Sequence, residues 1–294
     1  MTGDQLPPFS SPDQTPPLSD EQRQWYEGLG FEPVEYTLSP LHETFHPEND
    51  ERQDFNKEIG RFKVVTDTEG KNWLLKSAYP GPDDYFDDDV ADRDREIARC
   101  ADVALREQAA YRLANYIGYP VPETKTVMHD GKPWLAYSFV EDHVDISLRN
   151  AQSYGVSNPS AVASRHIFNA LVGSYYDEAS QGIIDPHTGT YFAQDIVMST
   201  YARGDERTPR VFKMAIVRSF FEESLYFDEV PSLNDEDKRF AHAMLDRALY
   251  MNEQEAADLF AHNNWGPDEA VATIHGRAQA LSELIDDGAF DPRS

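Results

Sequence analysis

The stretch Glu107-Gln-Ala-Ala-Tyr-Arg-Leu-Ala-Asn-Tyr-Ile-Gly-Tyr-Pro-Val-Pro122 decides how this chain is organised. Its first part completes a helix predicted from Asp92 to Ile117, in which Ile97, Ala101, Ala104, Leu105, Ala109, Leu113 and Tyr116 recur mostly at three- and four-residue steps. Gly118 then closes the helix, because glycine readily takes the left-handed conformation that helix ends favour. Pro120 and Pro122 force extended backbone after it.

Strands are predicted on both sides of that helix. Upstream, Arg61–Asp67 and Lys71–Tyr79 are β-favouring runs joined by the hairpin signal Thr68-Glu69-Gly70. Downstream, Thr124–Met128 and Pro133–Val140 flank an Asp130-Gly131 hairpin turn. The order is strand, strand, helix, strand, strand, ending at Glu141-Asp142. Glu21–Gly30 reads as a short helix, Phe31–Leu38 as extended, and His42–Glu58 as a polar loop region. Beyond His143 the pattern is mainly helical, with helices expected at Pro159–Gly173, Arg210–Leu225, Asn234–Met251, Glu253–His262 and Pro267–Asp287. A small hairpin, Gly182–Ile184 with Tyr191–Asp195, turns around Asp185-Pro-His-Thr-Gly189. Asn252 with Glu255 forms a capping pair, and Gly288 is a helix stop. The expected fold class is α+β: a bilobal, protein-kinase-like plan with a small β-rich N-lobe and a larger helical C-lobe. The boundaries are a disordered leader at 1–20, an N-lobe at 21–142 and a C-lobe at 143–294.

Composition narrows the function classes. At 294 residues with 40% hydrophobic and 12% aromatic content, the chain can bury a substantial core. It carries 26 basic and 53 acidic residues, a net charge of −27, which disfavours a nucleic-acid or anionic-membrane partner. Only eight of the basic residues are lysine, a bias associated with halophile-like surfaces. A single cysteine, Cys100, allows neither an internal disulfide nor a thiolate zinc cluster, and makes the cytoplasm the default compartment. No run approaches the ~20 apolar residues of a membrane span, so a soluble protein is expected.

Against this background, Lys76 ends the apolar run Trp73-Leu-Leu-Lys76, Glu107 lies within a helix, and Asp177 and Asp195 flank the small hairpin. In that order they are the parts of an ATP-dependent phosphotransferase. The motif Glu107-Gln-Ala-Ala-Tyr-Arg-Leu-Ala with Ile117-Gly-Tyr-Pro-Val-Pro122 resembles the signature of the HipA-like and bacterial phosphatidylinositol-kinase-like phosphotransferases, and Ile167–Asp195 is similar to their catalytic segment. The resemblance spans roughly residues 60–287. It implies that Lys76 contacts the α/β-phosphates of ATP and that Glu107 orients and pairs that lysine. It further implies that Asp195 chelates Mg²⁺ and that Asp177 takes the proton of the attacking hydroxyl. Phe139, Val140 and Glu141 belong to the hinge that reads the adenine edge. The phosphate acceptor is a protein or small-molecule hydroxyl.

The chain also departs from that family. Where typical members read Asp-Arg-His-x-x-Asn, it reads Asp177-Glu-Ala-Ser-Gln-Gly182, so a metal-binding asparagine is replaced by Gly182. Two rival readings follow: a catalytically impaired pseudokinase that binds nucleotide or a protein partner, and an acidic, non-enzymatic interaction protein. Each residue also has an ordinary explanation. Lys76 could snorkel at a sheet edge. Glu107 lies off the apolar stripe, with no basic residue three or four positions away, as a solvated carboxylate would. Asp177 suits any helix-end loop. His242, His262 and His275 lack metal-ligand spacing and read as surface or core histidines.

Overall fold

The computed structural model describes residues 18–44, 61–79, 90–146, 154–173, 182–194, 196, 232–261 and 266–291. They fall into two compact units, 1–104 with 125–139, and 105–124 with 140–294. The α+β class expected from the sequence is the class observed, strand-rich in the first unit and helix-rich in the second.

The first unit opens with α1 (Asp20–Gly28). Ser19 caps it in a reciprocal box with Gln22, and Leu18 beside it is buried. Tyr26 fastens this helix: its ring is fully buried, meets Phe31 edge-on at 5.1 Å, and its hydroxyl donates to the Ala78 carbonyl at 3.2 Å. The stretch expected to be extended supplies two very short strands, β1 (Glu32–Pro33) and β2 (Thr37–Leu38). The polar region after them opens with a helical turn, α2 (Leu41–Thr44). With β3 (Phe62–Thr66), β4 (Asn72–Ser77), β5 (Thr124–His129) and β6 (Lys132–Ser138) they build one sheet, in the order β1-β5-β6-β4-β3-β2. Both predicted hairpins form. Asp130 and Gly131 take φ of 52° and 68°, the pair of positive values that a tight two-residue turn demands.

Register divides the side chains of this sheet between two faces. Val65 pairs with Trp73, Lys63 with Leu75, Leu75 with Ala136 and Ser77 with Trp134, which places these residues on one face. Tyr36, Val65, Trp73, Leu75, Val127, Trp134 and Ala136 form a buried cluster there. Lysines lie across its aromatic rings: Lys63 over Trp134 at 5.3 Å, Lys71 over Trp73 at 4.2 Å, and Lys125 over Trp73 at 3.8 Å. Their stems cover apolar surface while their ammonium groups stay wet and attract the ring faces.

Asp67 ties the β3–β4 turn to this cluster. It accepts from the Trp73 indole N–H at 2.8 Å and from the backbone N–H groups of Lys71 and Glu69 at 2.9 and 3.0 Å. The indole bond, first of these, holds its carboxyl below the usual carboxylate range. That contribution to stability is complete above the ordinary value near 3.8 and is lost as pH falls through the lower folded value. Asp67→Ala orphans a buried indole N–H and should cost roughly 1–2 kcal/mol, measured by denaturant unfolding at neutral pH.

His129 gives the same sign of linkage from a different cause. Burial, only partly offset by Asp130 at 3.2 Å, pushes its imidazole below the ordinary 6.5. In the folded unit the ring stays neutral while the unfolded chain takes up a proton, so stability falls as pH drops below about 6.5 and levels off below the folded value. His129→Gln should flatten this part of the pH–stability curve, which unfolding at pH 7.5 and 5.0 would reveal.

The 28-residue helix α3 (Val90–Ile117) is longer than expected at its N-terminal end. It closes as predicted at Gly118: the Gly118 and Tyr119 N–H groups bond back to Asn115 and Ala114, and Gly118 has φ of 80°. The second unit then contains a strand that the sequence reading missed, β7 (Val144–Ile146). It pairs antiparallel with β8 (Gly182–Ile184), which pairs with β9 (Tyr191–Ala193). The helix expected at Pro159–Gly173 is broken at Ser164 into α4 (Pro159–Ala163) and α5 (Arg165–Val172). The helices α6 (Asp235–Leu249), α7 (Glu253–Leu259) and α8 (Pro267–Asp286) follow, and α8 packs on α5, α6 and α7. The Asn252–Glu255 capping box and the Gly288 stop are both formed. The helix expected at 210–225 lies outside the described residues.

Candidate functional site

Lys76 sits on β4 with the opposite parity to Trp73 and Leu75. It is directly paired with Phe62 on β3 and Leu135 on β6. Register places Lys63, Lys125 and Lys132 on the clustered face, so Lys76 alone among the described strand lysines occupies the other one. It is half-buried. It is not an edge residue: β4 lies between β3 and β6, which removes the ordinary reading of a lysine snorkelling at a sheet edge.

Glu107 departs from its bland reading more sharply. The periodicity placed it off the apolar stripe, as a solvated carboxylate, whereas it is 1% exposed. Gln108, Ala109, Ala110, Tyr111, Leu113 and Ala114 are buried with it, so this part of α3 is enclosed on nearly every side. A helix enclosed all round has no exposed face for periodicity to reveal. A buried carboxylate is costly unless hydrogen bonds or a cation compensate it.

At the predicted hinge the chain passes from the first unit to the second between Phe139 and Val140. Phe139 N–H donates to the Asn72 carbonyl at 3.0 Å, and the His143 ring bonds the Val140 carbonyl through Nδ1 at 2.9 Å. Glu141 is exposed, and Asp142 takes φ of 53°.

Asp177 and Asp195 lie outside the described residues, but their flanks are defined. Before Asp177, α5 is buried along its whole length and ends at Gly173, with φ of 75°. Before Asp195, the β8–β9 hairpin turns through Asp185, whose carboxylate accepts from the Thr188 hydroxyl at 2.8 Å and the His187 N–H at 2.9 Å. Those bonds, Thr188 first, hold Asp185 below the usual carboxylate range and make His187 a turn residue, as expected. Asn158 clamps the return strand, donating to the Tyr191 carbonyl at 3.1 Å and accepting from its N–H at 2.8 Å.

The hairpin also gives a physical reason for Gly182. A Cβ at this position would collide with Cε2 of Tyr191 and lie 2.8 Å from its Cζ and 2.9 Å from its hydroxyl oxygen. Tyr191 is 1% exposed, so its ring has no solvent to swing into. The space a side chain at 182 would need is filled by this phenol. An asparagine oxygen is thus excluded here, and among the described residues no group of three or more His, Cys, Asp or Glu could hold a metal ion.

Of the three histidines singled out in the sequence, His262 lies outside the described residues and the other two make tertiary contacts. His242 bridges α6 and α8 through Ser282 at 3.2 Å and Asp286 at 3.3 Å, and His275 bonds the Met251 carbonyl at 2.9 Å. A shallow open cleft in the second unit, lined by Ser157, Asn158, Ser160, Glu236, Arg239 and Phe240, contains none of the predicted site residues. Sequence reasoning missed Tyr191, Asn158 and the buried Arg165 as elements of the site's surroundings. The available signals were a glycine opening a short strand two pairs along from a tyrosine on its partner, and an arginine within a segment expected to be an amphipathic helix. No helix among the described residues is long and apolar enough to cross a membrane.

No protein-family model matches the chain, and neither does any curated protein. Among solved structures, the crystal structure of a Helicobacter pylori proinflammatory kinase, CtkA, is similar over 78% of this chain and 92% of its own, at 11% identity and a TM-score of 0.42.

Proposed function

We propose that the chain is an ATP- and Mg²⁺-dependent phosphotransferase of two-lobed, kinase-like plan that transfers phosphate to a protein or small-molecule hydroxyl. The observation that carries this reading is the deep burial of Glu107 in the helix whose Glu107…Pro122 motif resembles the HipA-like and phosphatidylinositol-kinase-like group. A solvated surface carboxylate has no reason to be 1% exposed, whereas one that orients a cation does. Lys76, isolated from the other strand lysines on its own face, is the cation suited to phosphate oxygens. On this reading the neutral variants Lys76→Met and Glu107→Gln each weaken ATP affinity, read by equilibrium titration.

Asp177 serves as the group that receives the acceptor's proton, and Asp195 as the carboxylate for Mg²⁺. The metal would supply charge neutralisation at the phosphates. Gly182 itself contributes no ligand, and Glu178, Ser180 and Gln181 are the neighbours whose oxygens could stand in for it.

That same observation favours a second reading, nucleotide binding without transfer. A thermal-shift titration with ATP, run with and without Mg²⁺ beside an assay of phosphate release, separates the two. Stabilisation with turnover supports the transferase, stabilisation without turnover supports the pseudokinase, and neither response rejects both.

A further inference from the structure

The cleft in the second unit belongs to no part of the nucleotide reading. It holds about 400 Å³ between the stretch Ser157–Ala161, which leads into α4, and the first turns of α6. Its floor is apolar, made by Pro159, Ala161 and the half-buried ring of Phe240. Phe240 lies 6.4 Å from the ring of Tyr119, which is itself 1% exposed and stacked on Phe168 at 4.3 Å. The ring that lines the cleft is therefore backed by the core.

The walls are fixed before anything binds. Asn158 is clamped to both backbone groups of Tyr191, and the Ser157 N–H donates to the Gly189 carbonyl at 2.8 Å. The Ser160 hydroxyl donates to the buried Asp237 carboxylate at 2.7 Å. An occupant thus loses little entropy in ordering this surface. At the rim, Glu236 and Arg239 are exposed, and among the described residues neither side chain makes a hydrogen bond or an ion pair. They stand three positions apart on α6, a spacing at which opposite charges can meet. An arginine and an aromatic ring beside an apolar floor are residue types enriched where proteins bind one another.

Two observations choose the occupant. The cleft is open, so it cannot enclose a free small molecule, whose affinity depends on burying most of its surface, whereas a polypeptide adds contacts beyond the cleft. The chain carries a net charge of −27, and that field draws a cationic partner towards Glu236 and repels an acidic one. We propose that this cleft docks a basic polypeptide segment. One large apolar side chain sits on Phe240 and Pro159, a lysine or arginine meets Glu236, and backbone carbonyls accept from the donor fork of Arg239. The proposal stands independently of the phosphotransferase reading, because it concerns binding alone.

The test is fluorescence anisotropy on the full chain at about 0.15 M salt, where long-range attraction is largely screened. The probe is a short labelled peptide with a central phenylalanine flanked by lysines, beside two controls: alanine in place of the phenylalanine, and glutamates in place of the lysines. The lysine–phenylalanine peptide should bind saturably at one site per chain, and each control should bind at least ~5-fold more weakly. Glu236→Lys and Phe240→Ala should each weaken the probe at least ~5-fold, while Glu32→Lys, an equal change of charge at an exposed position in the first unit, should stay within about twofold. Should Phe240→Ala fail to fold, Glu236→Lys and the peptide controls still decide the matter. Absence of saturable binding overturns the proposal, as does equal affinity for the phenylalanine and alanine peptides. Equal losses in Glu236→Lys and Glu32→Lys would mean attraction to the acidic surface at large, and tighter binding of the glutamate peptide would refute the choice of a basic partner.

Discussion

Gly182→Asn is expected to destabilise the second unit by roughly 3 kcal/mol or more, although it restores the residue found at this position in the family the chain resembles. The new Cβ would have to occupy the volume of the buried Tyr191 ring, and the amide would need hydrogen-bond partners in an enclosed site. Overpacking of a close-packed interior and an unsatisfied buried amide act in the same direction. At the scaling of domains this size, the thermal midpoint should fall by about 6–12 °C. A double-mutant cycle with Tyr191→Ala identifies the cause. Tyr191→Ala alone creates a cavity, but in the Gly182→Asn background it also relieves the clash, so the two changes should be strongly non-additive. Simple additivity would mean that the ring and position 182 do not compete for space. For function, Gly182→Asn alone cannot be used to test whether the lost asparagine limits catalysis, because it disturbs the hairpin before it adds a ligand.

Lys76→Met is expected to remove ATP turnover by at least ~10²-fold while leaving the first unit folded. Methionine keeps the length and apolar stem of lysine, so the packing beside Phe62 and Leu135 is retained and only the charge is lost. Lys63→Met provides the comparison, because Lys63 lies on the opposite face over Trp134 and pairs with Asp130 at 3.2 Å. It should alter stability slightly and turnover hardly at all. Equal losses of activity in the two variants would show that bulk positive charge matters, rather than the face that carries it.

Much of the first unit was legible because its signals are local. The Thr68–Gly70 and Asp130–Gly131 turns and the strands on either side, like the Gly118 stop in the second unit, each follow from the conformational preferences of a few adjacent residues. The break at Ser164 and the strand β7 were not legible. Val144–Ile146 is too short for alternation to register, and its pairing with β8 joins segments nearly forty residues apart. The burial of Glu107 was not legible from periodicity, because burial on all sides comes from tertiary packing rather than from the helix's own pattern. The exchange of asparagine for Gly182 was visible in the sequence. Its reason was not, since that depends on where the ring of Tyr191 lies after the chain has turned through Asp185.

The central claim is that Lys76 belongs to a nucleotide site, and an equilibrium titration of ATP, followed calorimetrically with Mg²⁺ present, tests it most directly. Wild type should bind ATP saturably with one site per chain, and Lys76→Met should lose that binding while unfolding as cooperatively as wild type. No saturable binding by wild type at millimolar ATP, or equal affinity in the two proteins, would contradict the claim.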